Sequence, residues 1–197
     1  LQFRGKFDKM EDSEVKEFMS EIRKRLLDFH CPRWEEMPDV ELYADQVVNY
    51  IERHLSALDV EGEGHLLTAS MINNYVKMKL IPAPVKKRYG VRQLARLVVI
   101  CTLKRDFSIA ELSSMMQTVL AKYENVEAYN RFCAEMELTI RNVFCHEEIP
   151  AAGACMEDQI IRAVMMAFAN KLLAHCTIRE YTASIAAANA QTSSEQG

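Results

Sequence analysis

Neither Asp nor Glu occurs between Glu63 and Asp106, a gap of 42 residues in a chain that holds 28 acids among 197 positions. A window of that length fixed in advance would be acid-free by random placement with a probability of about one in a thousand, and charge blocks of one sign favour an interaction surface. Other things are scarce too. Six Gly and five Pro are too few for a fold rich in turns and strands. No apolar run approaches the roughly 20 residues needed to span a bilayer, so no membrane partner is expected. The six Cys lack the dense spacing of a disulfide scaffold, and no signal-like apolar segment accompanies them; a reduced, cytoplasmic protein is the expectation. The fingerprints GxGxxG, GxxxxGK[ST], GxSxG and HExxH are missing, so neither an enzyme nor a cofactor is expected.

What is present in the acid-free stretch is charge of the other sign. It carries Lys77, Lys79, Lys86, Lys87, Arg88, Arg92, Arg96, Lys104 and Arg105, nine cations. The remainder therefore sets 15 basic against 28 acidic side chains, or -13, for a chain total of -4. A basic island in an acidic body asks for a polyanionic partner.

Apolar residues elsewhere recur at helical spacing. Asp12 or Ser13 can cap a first helix with Val15, Phe18, Ile22, Leu26 and Phe29 on one stripe, ended by Pro32. Asp39 can cap a second, running to Leu55. "DVEGEGH" reads as a flexible loop. Thr68 caps a short third helix to about Lys79, followed by a basic turn or hairpin in "APVKKRYG". A fourth helix from Val91 is expected to turn Leu94, Leu97, Val98 and Cys101 inward and Arg92, Arg96 and Arg105 outward. "SIAE" at Ser108 is a capping box for a fifth. Two long helices follow, roughly 126–144 and 156–184, apolar on more than one face. They predict burial against each other or a second subunit. "TSSEQG" reads as a mobile end.

The third helix divides cleanly. Met71, Ile72, Tyr75, Val76 and Met78 can face a core, while Ser70, Asn73, Asn74 and Lys77 form a polar strip at i, i+3, i+4 and i+7. Asn can pair with the major-groove edge of adenine, and Lys adds charge toward guanine or phosphate. A short polar-faced helix beside a basic wing is how helix-turn-helix proteins read DNA. Base contacts are expected at Ser70, Asn73, Asn74 and Lys77, and backbone contacts at Lys86, Lys87, Arg88 and Arg92.

The stretch "SMINNYVKMKLIPAPVKKRYGVRQLARLVVICTLKRDFSIAELSSMM" resembles the DNA-binding domain of MerR-type regulators. Tyr75 falls on the second Tyr of that family's recognition helix, which adds it to the expected backbone contacts, and Leu80, Ile81 and Pro82 fall on its exit. Arg88 and Tyr89 stand near the close of the wing, Leu94, Leu97 and Ile100 on the next helix, and Phe107, Ser108, Ile109, Glu111 and Leu112 on the last element. Asn73 and Asn74 replace the usual Arg and Tyr, and Lys79 replaces the helix-ending Gly. The wider stretch, with "PRWEEMPDVELYADQVV", is similar to an uncharacterised bacterial family known as a domain of unknown function.

The resemblance implies an all-α protein with a small β wing. An N-terminal helix (1–32) would precede a MerR-like winged helix-turn-helix (33–122), with a helical dimerisation or effector region (123–197) after it. The expected function is sequence-specific recognition of double-stranded DNA by a homodimer joined through the C-terminal helices, regulating transcription. Two alternatives stand beside it: a module that docks an acidic partner protein, and a MerR-like sensor of metal or thiol chemistry at Cys145 and Cys155 in "CHEEIPAAGAC", where soft thiolates and His146 would suit Zn or Cu(I). Cys is also common as a small core residue, and no metal site is assigned.

Overall fold

The computed structural model describes residues 12–60, 62 and 65–194. Seven α-helices form among them: α1 (Asp12–Leu27), α2 (Ala44–Leu55), α3 (Ala69–Lys77), α4 (Val91–Leu103), α5 (Ile109–Lys122), α6 (Asn125–Cys145) and α7 (Met156–Ser194). The all-α class holds, and β structure among the described residues is limited to two isolated antiparallel bridges, Leu42 with Tyr89 and Val85 with Arg88.

The helices start where local chemistry places them. The Thr68 hydroxyl accepts from the Met71 amide at the head of α3. Ser108 and Glu111 exchange the two bonds of a capping box at α5. Asp39, by contrast, does not cap α2. The backbone of Leu42 pairs in both directions with Tyr89, 2.9 and 2.8 Å, which holds the chain extended up to Tyr43. There the Gln46 side chain caps α2 by accepting from the Tyr43 amide. A tertiary pairing thus moves the cap downstream from Asp39 to Tyr43.

Packing runs in two connected groups. α6 and α7 run side by side in the same direction, as the pairs Arg131 with Asp158 and Glu135 with Arg162 show, and carry α1 along them, while α2 packs on both α3 and α4. α4 is the centre: Leu94, Ala95, Leu97, Val98, Ile100, Cys101 and Leu103 are all buried, as apolar positions on nearly every side of one helix demand. α4 and α5 also touch α6, so the buried residues make one continuous cluster. α7 outruns the expected end at 184 and takes Thr192, Ser193 and Ser194 of the expected tail into its helix; residues 195–197, like 1–11, lie outside the described residues.

The segment ahead of α2 is strapped to α6. Arg33 makes a two-pronged ion pair with Glu137, 2.8 and 2.7 Å. The Glu137 carboxylate also accepts from the Cys31 amide, 2.9 Å. Tyr129 donates to the Pro32 carbonyl at 2.8 Å, and Trp34 stands edge-on to the Tyr129 ring. Bidentate geometry and a shared amide make this a stronger tie than a surface ion pair.

Candidate nucleic-acid interface

α3 is only nine residues long, so its two faces are easily told apart. Ile72 and Tyr75 are buried, and Ser70, Asn73, Asn74 and Lys77 are exposed along the opposite side. Met78 departs from the expectation of a core position: it is 55 % exposed, because the helix ends at Lys77 and the chain turns away there. Lys79 adopts a left-handed backbone, φ 58°. Its amide donates to the Val76 carbonyl, and the Leu80 amide donates to that of Tyr75, which together close a Schellman motif. Glycine is the low-cost residue at that position; a lysine costs about 1 kcal/mol.

The hairpin repeats the pattern. Val85 and Arg88 exchange both backbone bonds, 3.1 and 2.9 Å, across a two-residue tip made of Lys86 and Lys87. Both lysines have positive φ, 49° and 64°, the type I′ arrangement normally filled by Asn-Gly. Among the described residues four non-glycine positions have positive φ, and three of them are these lysines; the fourth is His146 at the end of α6. Local backbone strain is thus concentrated on the basic surface, and strain of this kind gathers at functional sites.

Eight of the nine expected contact residues, Ser70, Asn73, Asn74, Lys77, Lys86, Lys87, Arg88 and Arg92, are exposed on α3, the hairpin and the first turn of α4. Arg88 is held in place: its guanidinium lies over the Tyr43 ring, 5.3 Å from the centroid, and donates to the Tyr43 hydroxyl at 3.3 Å. Nothing in the sequence pattern points to Tyr43. Tyr75 is the exception among the nine. It is 7 % exposed, and burial raises the pKa of its phenol, so it is a core residue of α3 and not an open backbone contact.

Two of the nine cations also differ from expectation, and a third, for which no orientation is expected, joins them. Arg96 and Arg105 do not point outward, and Lys104 turns in beside them. Arg96 donates to the Leu80 carbonyl at 3.2 Å. Lys104 reaches the Leu66 carbonyl and, at 3.6 Å, the Met71 sulfur. Arg105 pairs with Asp59 at 2.9 Å. The loop before α3 and the exit after it are therefore tied down from within by cations that the sequence places in the same basic run. What remains on the surface is Lys77, Lys79, Lys86, Lys87, Arg88 and Arg92.

The thiols of the alternative reading lie elsewhere. Cys145 is exposed; Cys155 is half-buried with its sulfur 3.1 Å from the Tyr123 hydroxyl. No group of three or more His, Cys, Asp or Glu side chains that could hold a metal ion comes together among the described residues. No helix among them is long and apolar enough to cross a membrane.

The molecule is thus a helical protein that presents a short polar helix and a basic hairpin on one acid-free segment. The chain belongs to the family described as a domain of unknown function, DUF1836, which matches residues 32–132, half its length. The match opens at Pro32, in the strap held by α6, and closes at Phe132 within α6 itself. No curated protein and no solved structure matches the chain.

Proposed function

We propose that the protein is a sequence-specific DNA-binding regulator of transcription whose residues 33–122 act as a MerR-like winged helix-turn-helix. α2 and α3 are the helix-turn-helix pair, α3 enters the major groove, and the hairpin tipped by Lys86 and Lys87 is the wing. The observation that carries this reading is the set of three lysines kept in left-handed backbone, at Lys79, Lys86 and Lys87, where Gly or Asn-Gly would hold the same turns at lower cost. A chain that gives up stability to keep cations at a turn uses the charge, and phosphate is the partner that rewards closely spaced cations.

Base edges are read by Ser70, Asn73, Asn74 and Lys77, exposed on α3. Phosphates are held by Lys86, Lys87, Arg88 and Arg92, with the stacked Arg88 the most preorganised. A homodimer forms through the C-terminal helices, in line with Ile178 and Ile185, exposed two turns apart on α7. Lys87→Ala should weaken binding to every duplex alike and lower the slope of log affinity against log salt by about 1, whereas Asn74→Ala should change sequence preference at nearly constant slope. Gel shifts over a salt series measure both. No binding to random duplex at low salt, with capture of an acidic protein instead, would replace DNA by that partner.

A further inference from the structure

Where α4, α5, α6 and α7 meet, the structure leaves an apolar hollow that opens to solvent on one side. Val99, Val119, Phe132, Val164 and Met165 line it, and Trp34, the chain's single tryptophan, stands at its wall. Its polar lining includes Arg92 and Arg96, one turn apart on α4. Neither has an acidic partner among the described residues. Arg96 donates one N–H to the Leu80 carbonyl and leaves its buried Nε without any partner. On the far side of Arg96 a second, more polar hollow begins, sharing Arg96, Met116 and Leu120 with the first and bordered by Lys79, Ser113 and Gln117.

We propose that this hollow binds a small amphipathic carboxylate, with its hydrocarbon part among the side chains of α4 to α7 and its anionic head on the unused N–H groups of Arg96. An apolar pocket with a few convergent polar groups is the usual form of a small-molecule site. A buried donor left without an acceptor, as Arg96 Nε is, is costly until an acceptor of opposite charge reaches it. Burial, and then repulsion from Arg92, lower the pKa of Arg96, which is the mark of a cation without its counter-charge. A carboxylate supplies both the acceptor and the charge. This site does not depend on the DNA reading, since its ligand and its readout are separate.

The test uses the full chain with sodium octanoate as probe and 1-octanol as the neutral control, followed by Trp34 emission and by thermal melting. Octanoate should give a saturable change in emission and a raised Tm, and should bind about tenfold or more tighter than octanol. Arg96→Met should erase that preference while leaving octanol binding in place. Val164→Phe, which fills the hollow and leaves Arg96 alone, should weaken both ligands at unchanged helical content, so the proposal stays testable if Arg96→Met fails to fold. Equal affinity for acid and alcohol, an unsaturable response, or octanoate binding that survives Val164→Phe would overturn it.

Discussion

The acid-free segment holds two kinds of cation that look alike in sequence. Lys86, Lys87 and Arg88 project from a hairpin tip, whereas Arg96, Lys104 and Arg105, a few residues further on, turn inward to carbonyls, a sulfur and a carboxylate. Charge counted along a chain is therefore not charge on a surface. Of nine cations, three serve as internal ties around α3, and the field that a polyanion meets comes from six. The inward set fixes where α3 stands; the outward set is what it and the hairpin present.

The sharpest way to break that comparison is to remove one cation from each set. Arg105→Ala leaves Asp59, only 16 % exposed, without its 2.9 Å partner. With the Gly62 amide still donating to it at 3.2 Å, loss of the guanidinium from this mostly buried carboxylate should cost about 2 kcal/mol and lower Tm by about 6 °C. Arg88→Ala removes an exposed guanidinium held by one ring and one hydroxyl, so its stability cost should stay within about 0.5 kcal/mol. Its effect should emerge instead in DNA affinity and salt slope. Thermal melts of the two variants side by side decide the matter: a larger loss from Arg88→Ala would show that the hairpin, not the inward set, organises this end of the molecule.

What the sequence can and cannot announce follows from how far each feature reaches. The caps at Thr68 and Ser108 and the hairpin in "APVKKRYG" are settled within a few residues, and they stand where the pattern puts them. The start of α2 is illegible in sequence because Tyr89, more than 40 positions away, pairs with Leu42 and overrides Asp39. Arg96 and Arg105 sit where a helical wheel puts them outward, but the wheel knows nothing of the Leu80 carbonyl or of Asp59. Tyr75 belongs to the core face of α3 by periodicity and to a DNA contact by resemblance; its burial favours the first. The strain at Lys79, Lys86 and Lys87 has no signature in hydropathy or charge, since it lies in the backbone angles alone.

The hairpin tip gives a second, smaller effect with two readouts of opposite sign. Replacing Lys86 by Asn and Lys87 by Gly installs the residues that a type I′ turn prefers. Stability should rise by about 1 kcal/mol, with Tm up by about 3 °C. DNA affinity should fall, and the salt slope should drop by about 2, one for each phosphate contact given up. A double variant that is more stable and binds DNA as before would leave the lysines at the tip without a purpose in DNA binding.

Lys79→Gly is the mildest of these changes and isolates strain from charge most cleanly. Lys79 closes the Schellman motif of α3 with φ 58°, outside the hairpin and one residue before the buried Leu80. Glycine there removes a Cβ penalty of about 1 kcal/mol but adds freedom to the unfolded chain, so the net gain should be about 0.5 kcal/mol, seen as a small rise in the urea midpoint. Because Lys79 borders the groove side of α3 without belonging to its polar strip, DNA binding should weaken slightly and equally for all sequences. If Lys79→Gly instead destabilises the fold, the lysine is tied down by its neighbours more firmly than its exposed side chain shows, and the contrast between inward and outward cations would have to be redrawn with Lys79 on the inward side.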